Sequence, residues 1–145
     1  MATRVQVVFD CADPGRQALF WAEALHYVLQ PPPPAFDSWD AWADGMGIPP
    51  EQRNDFSAAL DPDGVGPRLF FQRVPEGKVA KNRVHLDINA GGGREVSDDQ
   101  RRANIDAEVA RLKALGASDA RGAMDLRGEY WVRMNDPEGN EFCVQ

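Results

Sequence analysis

With only two cysteines, Cys11 and Cys143, and no CxxC spacing, the chain carries neither a disulfide framework nor a zinc knuckle. Both read as free thiols in a reducing compartment. Long apolar runs are missing too: the longest, such as Val5 to Phe9 and Ala18 to Ala22, are too short and too interrupted to span a bilayer. No tract of Lys and Arg alternates with aromatics, and the formal charge is −7, so neither a nucleic acid nor a membrane is an expected partner. The N-terminal Met1-Ala2-Thr3-Arg4 leads straight into a strand pattern without the apolar segment of a secretion signal. A cytoplasmic location is the expectation.

What is present suffices for one domain, since 145 residues can bury a core without disulfides or a structural metal. Val5 to Asp10 alternates, with Val5, Val7 and Phe9 on one face and Gln6, Val8 and Asp10 on the other, as a strand half-buried in a core does. Asp13-Pro14 supplies an N-cap and a first-turn proline. Behind it Phe20, Trp21, Ala24, Leu25 and Val28 recur at helical spacing, which predicts a helix from about Pro14 to His26. His26 then sits where it would meet the helix dipole. Pro31 to Pro34 end that pattern and open a long connection to about Asn54. Its Phe36, Trp39 and Trp42 fit a short amphipathic helix or an ordered lid, read either as a satellite core or as a ligand clamp. The segment is expected to pack over or beside a pocket, because these aromatics otherwise expose too much apolar surface. Ser57 to Leu60 and Arg68 to Val74 then form a hairpin around Asp61-Pro62-Asp63-Gly64.

The second half repeats the plan. Arg83 to Asn89 alternates as a strand, with Val84, Leu86 and Ile88 opposite His85 and Asp87. The glycines 91–93 and the charged residues up to Arg102 form a flexible lead-in to a helix from Asn104 to Leu115, which Gly116 closes as a left-handed cap. Three strands follow, around Ser118 to Arg121, Tyr130 to Asn135 and Asn140 to Gln145. The last two are joined by Asp136-Pro137-Glu138-Gly139, the counterpart of the first turn. Gln6 thus matches His85, and the chain reads as a duplication.

The blocks Val5 to Pro14 with Phe20-Trp21, Leu69 to Glu76, Asn82 to Asp87, Tyr130-Trp131-Val132 and Asp136 to Val144 together resemble the glyoxalase-like branch of the vicinal oxygen chelate superfamily, the glyoxalase/bleomycin resistance/dioxygenase proteins. The resemblance covers nearly the whole chain apart from the Pro-rich connection. It implies an α+β fold of two βαβββ modules that pair into a curved mixed sheet around a pocket flanked by helices. Module one would run over about 1–80 and module two over about 81–145.

Metal-dependent members place one ligand on the first strand of each module and another, usually Glu, on the last. By position the first-strand places fall on Gln6 and His85, the candidate metal ligands. The last-strand place of module two falls on Cys143, and that of module one on Phe70 or Gln72; neither is the expected carboxylate. Glu141, two residues before Cys143 and on the same face, is the candidate catalytic base. The pocket set implied is Gln6, Phe70, Gln72, His85, Asp87, Trp131 and Cys143. A divalent metal is allowed but not expected at full occupancy, because an amide, an imidazole and a thiol lack the charge that hard cations need. The expected activity is binding of a small organic molecule, as bleomycin resistance relatives bind theirs. A metal-dependent lyase or isomerase is the alternative, a homodimer is compatible with either, and no other cofactor is named.

Overall fold

The computed structural model describes residues 1–145 and divides into two compact units, Met1–Gly77 and Lys78–Gln145. In the first, β1 (Gln6–Cys11) leads to α1 (Pro14–Leu25), a short β2 (Val28–Leu29), α2 (Trp39–Met46), and the hairpin of β3 (Phe56–Leu60) and β4 (Arg68–Arg73). The sheet order is β1-β4-β3-β2, with β1 parallel to β4 and the other pairs antiparallel. The second unit has β5 (Asp87–Ile88), α3 (Asp98–Leu115), β6 (Ser118–Leu126), β7 (Glu129–Asn135) and β8 (Glu141–Val144). Its order, β5-β8-β7-β6, again puts the first and last strands parallel and adjacent. The architecture is α+β, two open four-stranded mixed sheets of like topology, and the duplication expected from the turns is present in the fold.

Each sheet buries one face under its own helix. In the first unit the Phe9 ring lies 5.3 Å from Trp21 of α1 and 5.0 Å from Phe71, Phe20 packs edge-on against Trp21, and Leu69 is buried with them. In the second, Ile105, Val109 and Leu112 of α3 are buried, as are Val132, Met134, Phe142 and Val144 of the sheet. Strand alternation sends the intervening residues to the opposite face.

Local chemistry fixes the helix ends. The Asp13 side chain accepts from the Arg16 N–H, and α1 stops where His26 turns left-handed at φ 57°, its N–H bonded to the Ala22 carbonyl. Val28, counted into the helical stripe by spacing, therefore lies beyond the stop and pairs with Leu60 as part of β2. Ser38 and Gly47 cap α2 at its two ends. Asn54 pins the connection to the start of α1 by accepting from the Gly15 N–H and donating to Asp13, both at 2.8 Å. Trp39 packs edge-on against Trp42 and donates to the Gln30 carbonyl, so the aromatic run is an ordered segment of the first unit.

Three boundaries in the second unit differ from the sequence reading. α3 begins at Asp98, capped by Ser97 with Asp98 and Asp99 in the first turn; the added residues 98–103 carry no apolar side chain larger than that of Ala103, so periodicity could not show them. β6 continues to Leu126 through an irregularity between Asp119 and Gly122, where Gly122 takes φ 69°. The stretch Arg83 to Asn89 pairs as strand only at Asp87 and Ile88, and Val84 is 82% exposed. Its partner β8 is four residues long and extends the pairing no further than a bond from the Cys143 N–H to the Leu86 carbonyl.

No helix is long and apolar enough to cross a membrane.

Candidate functional site

On the first unit, the face turned away from α1 carries Gln6, Val8 and Asp10 of β1 beside Arg68, Phe70 and Gln72 of β4, paired in that order. Phe56 joins them from β3, stacked on Phe70 at 5.6 Å between ring centres and itself 62% exposed. The polar groups form two short networks. Arg68 donates through Nη1 to Gln6 Oε1 at 2.5 Å and through Nε to Gln30 Oε1 at 2.8 Å, while its guanidinium lies 4.9 Å from the Phe70 ring centre. Gln72 donates to Asp10 at 2.7 Å. At one end of this face a cleft of about 620 Å³ opens, lined by Arg4, Gln6, Asp61, Val65 and Arg68 among others. The sequence reading named Gln6, Phe70 and Gln72 here but not Arg68, although its position two residues before Phe70 puts it on the same face by alternation.

On the second unit the corresponding face holds Asp87, Cys143, Arg133 and Trp131. Asp87 is registered with Cys143 and Cys143 with Arg133, and Trp131 lies two residues along the same strand. His85 Nδ1 lies 2.7 Å from Asp87 Oδ1. Ligand atoms of His85, Asp87 and Cys143 all fall within 4.8 Å of one another. Burial, then the charge of Asp87 and a hydrogen bond to it, push the Cys143 thiol above its ordinary pKa, so it is held protonated. Sequence alone does not single out Arg133, whose Nε is buried without a partner and whose Nη2 lies 3.0 Å from Met124 Sδ.

Glu141 shares this face but is tied down at its edge. Its carboxylate accepts from the Asn82 N–H at 2.9 Å and pairs with Lys78 Nζ at 3.1 Å, and chiefly the Asn82 bond lowers its pKa from 4.5 to about 2. A carboxylate so stabilised takes up a proton poorly at neutral pH, and its geometry is that of an anchor for the segment 78–82. Because the folded pKa lies below the unfolded one, the contribution is complete above about pH 4.5 and is lost as pH falls through about 2. Glu141→Gln is therefore expected to cost about 1–2 kcal/mol at pH 7, allowing for solvent screening, and progressively less toward pH 2. Denaturant melts of both proteins across that range check it; a difference independent of pH would rule the linkage out.

The residues fit a metal unevenly. Gln6 Oε1, at one of the two first-strand places that the resemblance assigned to metal ligands, already accepts from a guanidinium, and a second cation there would meet Coulomb repulsion. His85, Asp87 and Cys143 offer one nitrogen, one oxygen and one sulfur, a set suited to a borderline ion such as Zn²⁺ and not to Mg²⁺. Occupancy would require the Cys143 proton to leave. With Gln6 matched to His85, Val8 matches Asp87, and the strand registers then make Phe70 the counterpart of Cys143. The first unit thus has a phenyl ring where the second has its thiol.

The glyoxalase-like domain family matches residues 6–145, and the chain belongs to that family. Solved structures of similar fold include a glyoxalase/bleomycin resistance protein/dioxygenase family enzyme from Burkholderia phytofirmans PsJN, 13% identical with a TM-score of 0.60, the match covering 96% of this chain and 94% of that one. A possible glyoxalase from Bacillus cereus is 16% identical over 100% of this chain and 99% of that one, with a TM-score of 0.59. The fosfomycin resistance protein FosX from Listeria monocytogenes, complexed with Mn(II) and 1S,2S-dihydroxypropylphosphonic acid, is 11% identical over 100% and 90%, also at 0.59. At these identities the likeness is one of fold. No curated protein sequence matches the chain.

Proposed function

We propose that this glyoxalase-like protein binds a small organic molecule and does not depend on a divalent metal to do so. The observation that carries the reading is the Arg68–Gln6 bond: the amide oxygen that the resemblance offers as a metal ligand already holds a cation of this chain's own. The exposed Phe56–Phe70 stack supplies an apolar platform beside it. Glu141, with its pKa near 2, is left as an anchor and not as a base.

A second reading, a metal-dependent lyase or isomerase, is supported by the proximity of His85, Asp87 and Cys143. An ion held there would polarise a substrate oxygen. FosX, the Mn(II)-containing neighbour, shows that this fold accommodates such an ion in another protein.

Metal analysis of the purified protein and thermal melts with Mn²⁺, Zn²⁺ and a panel of small aromatic compounds separate the two. The expected result is well under one metal per chain, no rise in Tm with Mn²⁺, and a rise with at least one aromatic compound that Phe70→Ala removes. At a hundredfold excess over Kd such a ligand adds about 2.7 kcal/mol. One Zn²⁺, Ni²⁺ or Mn²⁺ per chain, lost in His85→Ala and required for turnover of a hemithioacetal, would establish the enzyme reading instead.

A further inference from the structure

The sequence is rich in acid, with 23 Asp and Glu against 16 Lys and Arg, and several of its arginines are neutralised by carboxylates. Arg53 pairs with Asp40 and Asp44, Arg73 with Asp55, Arg102 with Asp125, and Arg111 with Glu108. Arg68 is treated differently. Its partners are two neutral amides, Gln6 and Gln30, and the face of a phenyl ring, none of which cancels its charge. Two of its five N–H donors are used, which leaves Nη2 and one hydrogen on Nη1 uncommitted while the plane of the fork is fixed.

The cleft that Arg68 lines has a second cation, Arg4, which makes no hydrogen bond or ion pair. The one acid in the lining, Asp61, makes no ion pair with either arginine but stays ionised, so the two guanidiniums leave the cleft with one positive charge in excess. The Asp61 carboxylate accepts from the backbone N–H groups of Asp63, Val65 and Gly66, and these bonds, that to Gly66 foremost, hold its pKa below the ordinary range. A fixed guanidinium with free donors, an exposed and unpaired second one and an adjacent aromatic stack is a receptor for a group with paired anionic oxygens attached to an apolar or aromatic body.

We infer that Arg68, with Arg4, binds the carboxylate or phosphate of an acidic small-molecule ligand in this cleft, and that Phe70 and Phe56 carry the ligand's apolar part. The inference rests on the small-molecule reading above and names the ligand class. Gln6 and Gln30 act as positioning residues: an amide on each of two N–H groups holds the fork without neutralising it, which a carboxylate could not do. The alternation of β4 brings Arg68 and Phe70 to one face, so charge and ring are presented together.

The test uses the full chain and three probes of nearly one shape: benzoate, phenyl phosphate and the neutral benzamide. Binding is followed by NMR through the Arg68 Nε–H signal, identified by its loss in Arg68→Gln, and through the Val65 and Gly66 amides. Benzoate or phenyl phosphate is expected to shift these signals saturably and to bind at least about tenfold more tightly than benzamide, with the preference shrinking as salt is raised. Whichever anion binds more tightly identifies the acidic group. Arg68→Gln should abolish the preference. Arg4→Gln, whose side chain holds nothing in the fold, should weaken it about two- to fivefold without altering the melt. Equal binding of benzoate and benzamide, unaffected by Arg68→Gln in a folded protein, overturns the anion assignment and leaves the small-molecule reading standing. Failure of all three probes, together with a silent aromatic panel in the thermal melts, overturns both.

Discussion

Phe71→Ala is expected to lower the stability of the first unit by about 3–5 kcal/mol, whereas Phe70→Ala, one residue away, should cost about 1 kcal/mol and remove ligand binding instead. The contrast follows from strand alternation. Phe71 points under α1, is fully buried, and stacks on Phe9 at 5.0 Å in a core closed by Trp21. Truncation there leaves a cavity that the helix, capped by Asp13 and stopped by His26, cannot collapse to fill. Phe70 is on the other face, half-buried, touching Phe56 and the Arg68 guanidinium. Its loss forfeits one ring stack and one cation–π contact, and water can occupy the space. Urea titrations of the two variants beside the parent measure the difference. Equal losses at both positions would mean that the face opposite α1 is as tightly packed as the core, and would remove it as a binding surface.

How far the sequence could reach depends on the range of the interaction being read. Capping and turn chemistry is local, so Asp13-Pro14, Gly116 and the two Asp-Pro-acid-Gly turns could be placed from adjacent residues. Alternation also assigned the faces of β1 and β4 correctly, because both strands are paired along their full length. It failed at Arg83 to Asn89, where the pattern alternates but β8 is too short to pair with it, and Val84 is left in water. Pattern reports which residues could face a core; whether a partner strand reaches them is a tertiary fact.

The same limit explains what was missed in the candidate site. Residue type at two positions per module points to Gln6, His85 and Cys143. It does not show that Gln6 is engaged by Arg68, since the partner is 62 residues away and the bond depends on the parallel register of β1 with β4. Nor does it show that Glu141 is bonded to Asn82 and Lys78, which makes the acid on the face of Cys143 an anchor. Residue identity proposes a chemistry, and the nearest partner decides whether the group is free to perform it.

The two homologous turns provide the second large expected effect. Asp136→Ala should destabilise the protein by about 2–4 kcal/mol, while Asp61→Ala, the same substitution in the same motif, should cost far less. Both aspartates organise their turns by accepting backbone N–H groups: Asp136 from Glu138 and Asn140, each at 2.9 Å, and Asp61 from Asp63, Val65 and Gly66. The difference is solvent. Asp136 is 2% exposed, and its oxygens also accept from the Asn140 side-chain amide, so removing it strands several part-buried donors that water cannot readily reach. Two of the three bonds to Asp61, those from Asp63 and Val65, are exposed at the open cleft, so their donors can turn to water. Function should divide the other way. Asp136 sets the register of β7 with β8, on which the pairing of Arg133 with Cys143 depends, so its loss acts through folding. Asp61 holds the loop 61–66 that forms one wall of the cleft beside Arg68, so Asp61→Ala should alter the affinity for an acidic ligand while the melt barely moves. Chemical denaturation and a benzoate titration on both variants read the two effects separately. A large stability loss in Asp61→Ala, or an unchanged benzoate affinity in it, would show that the turn and the cleft are not coupled as this geometry requires.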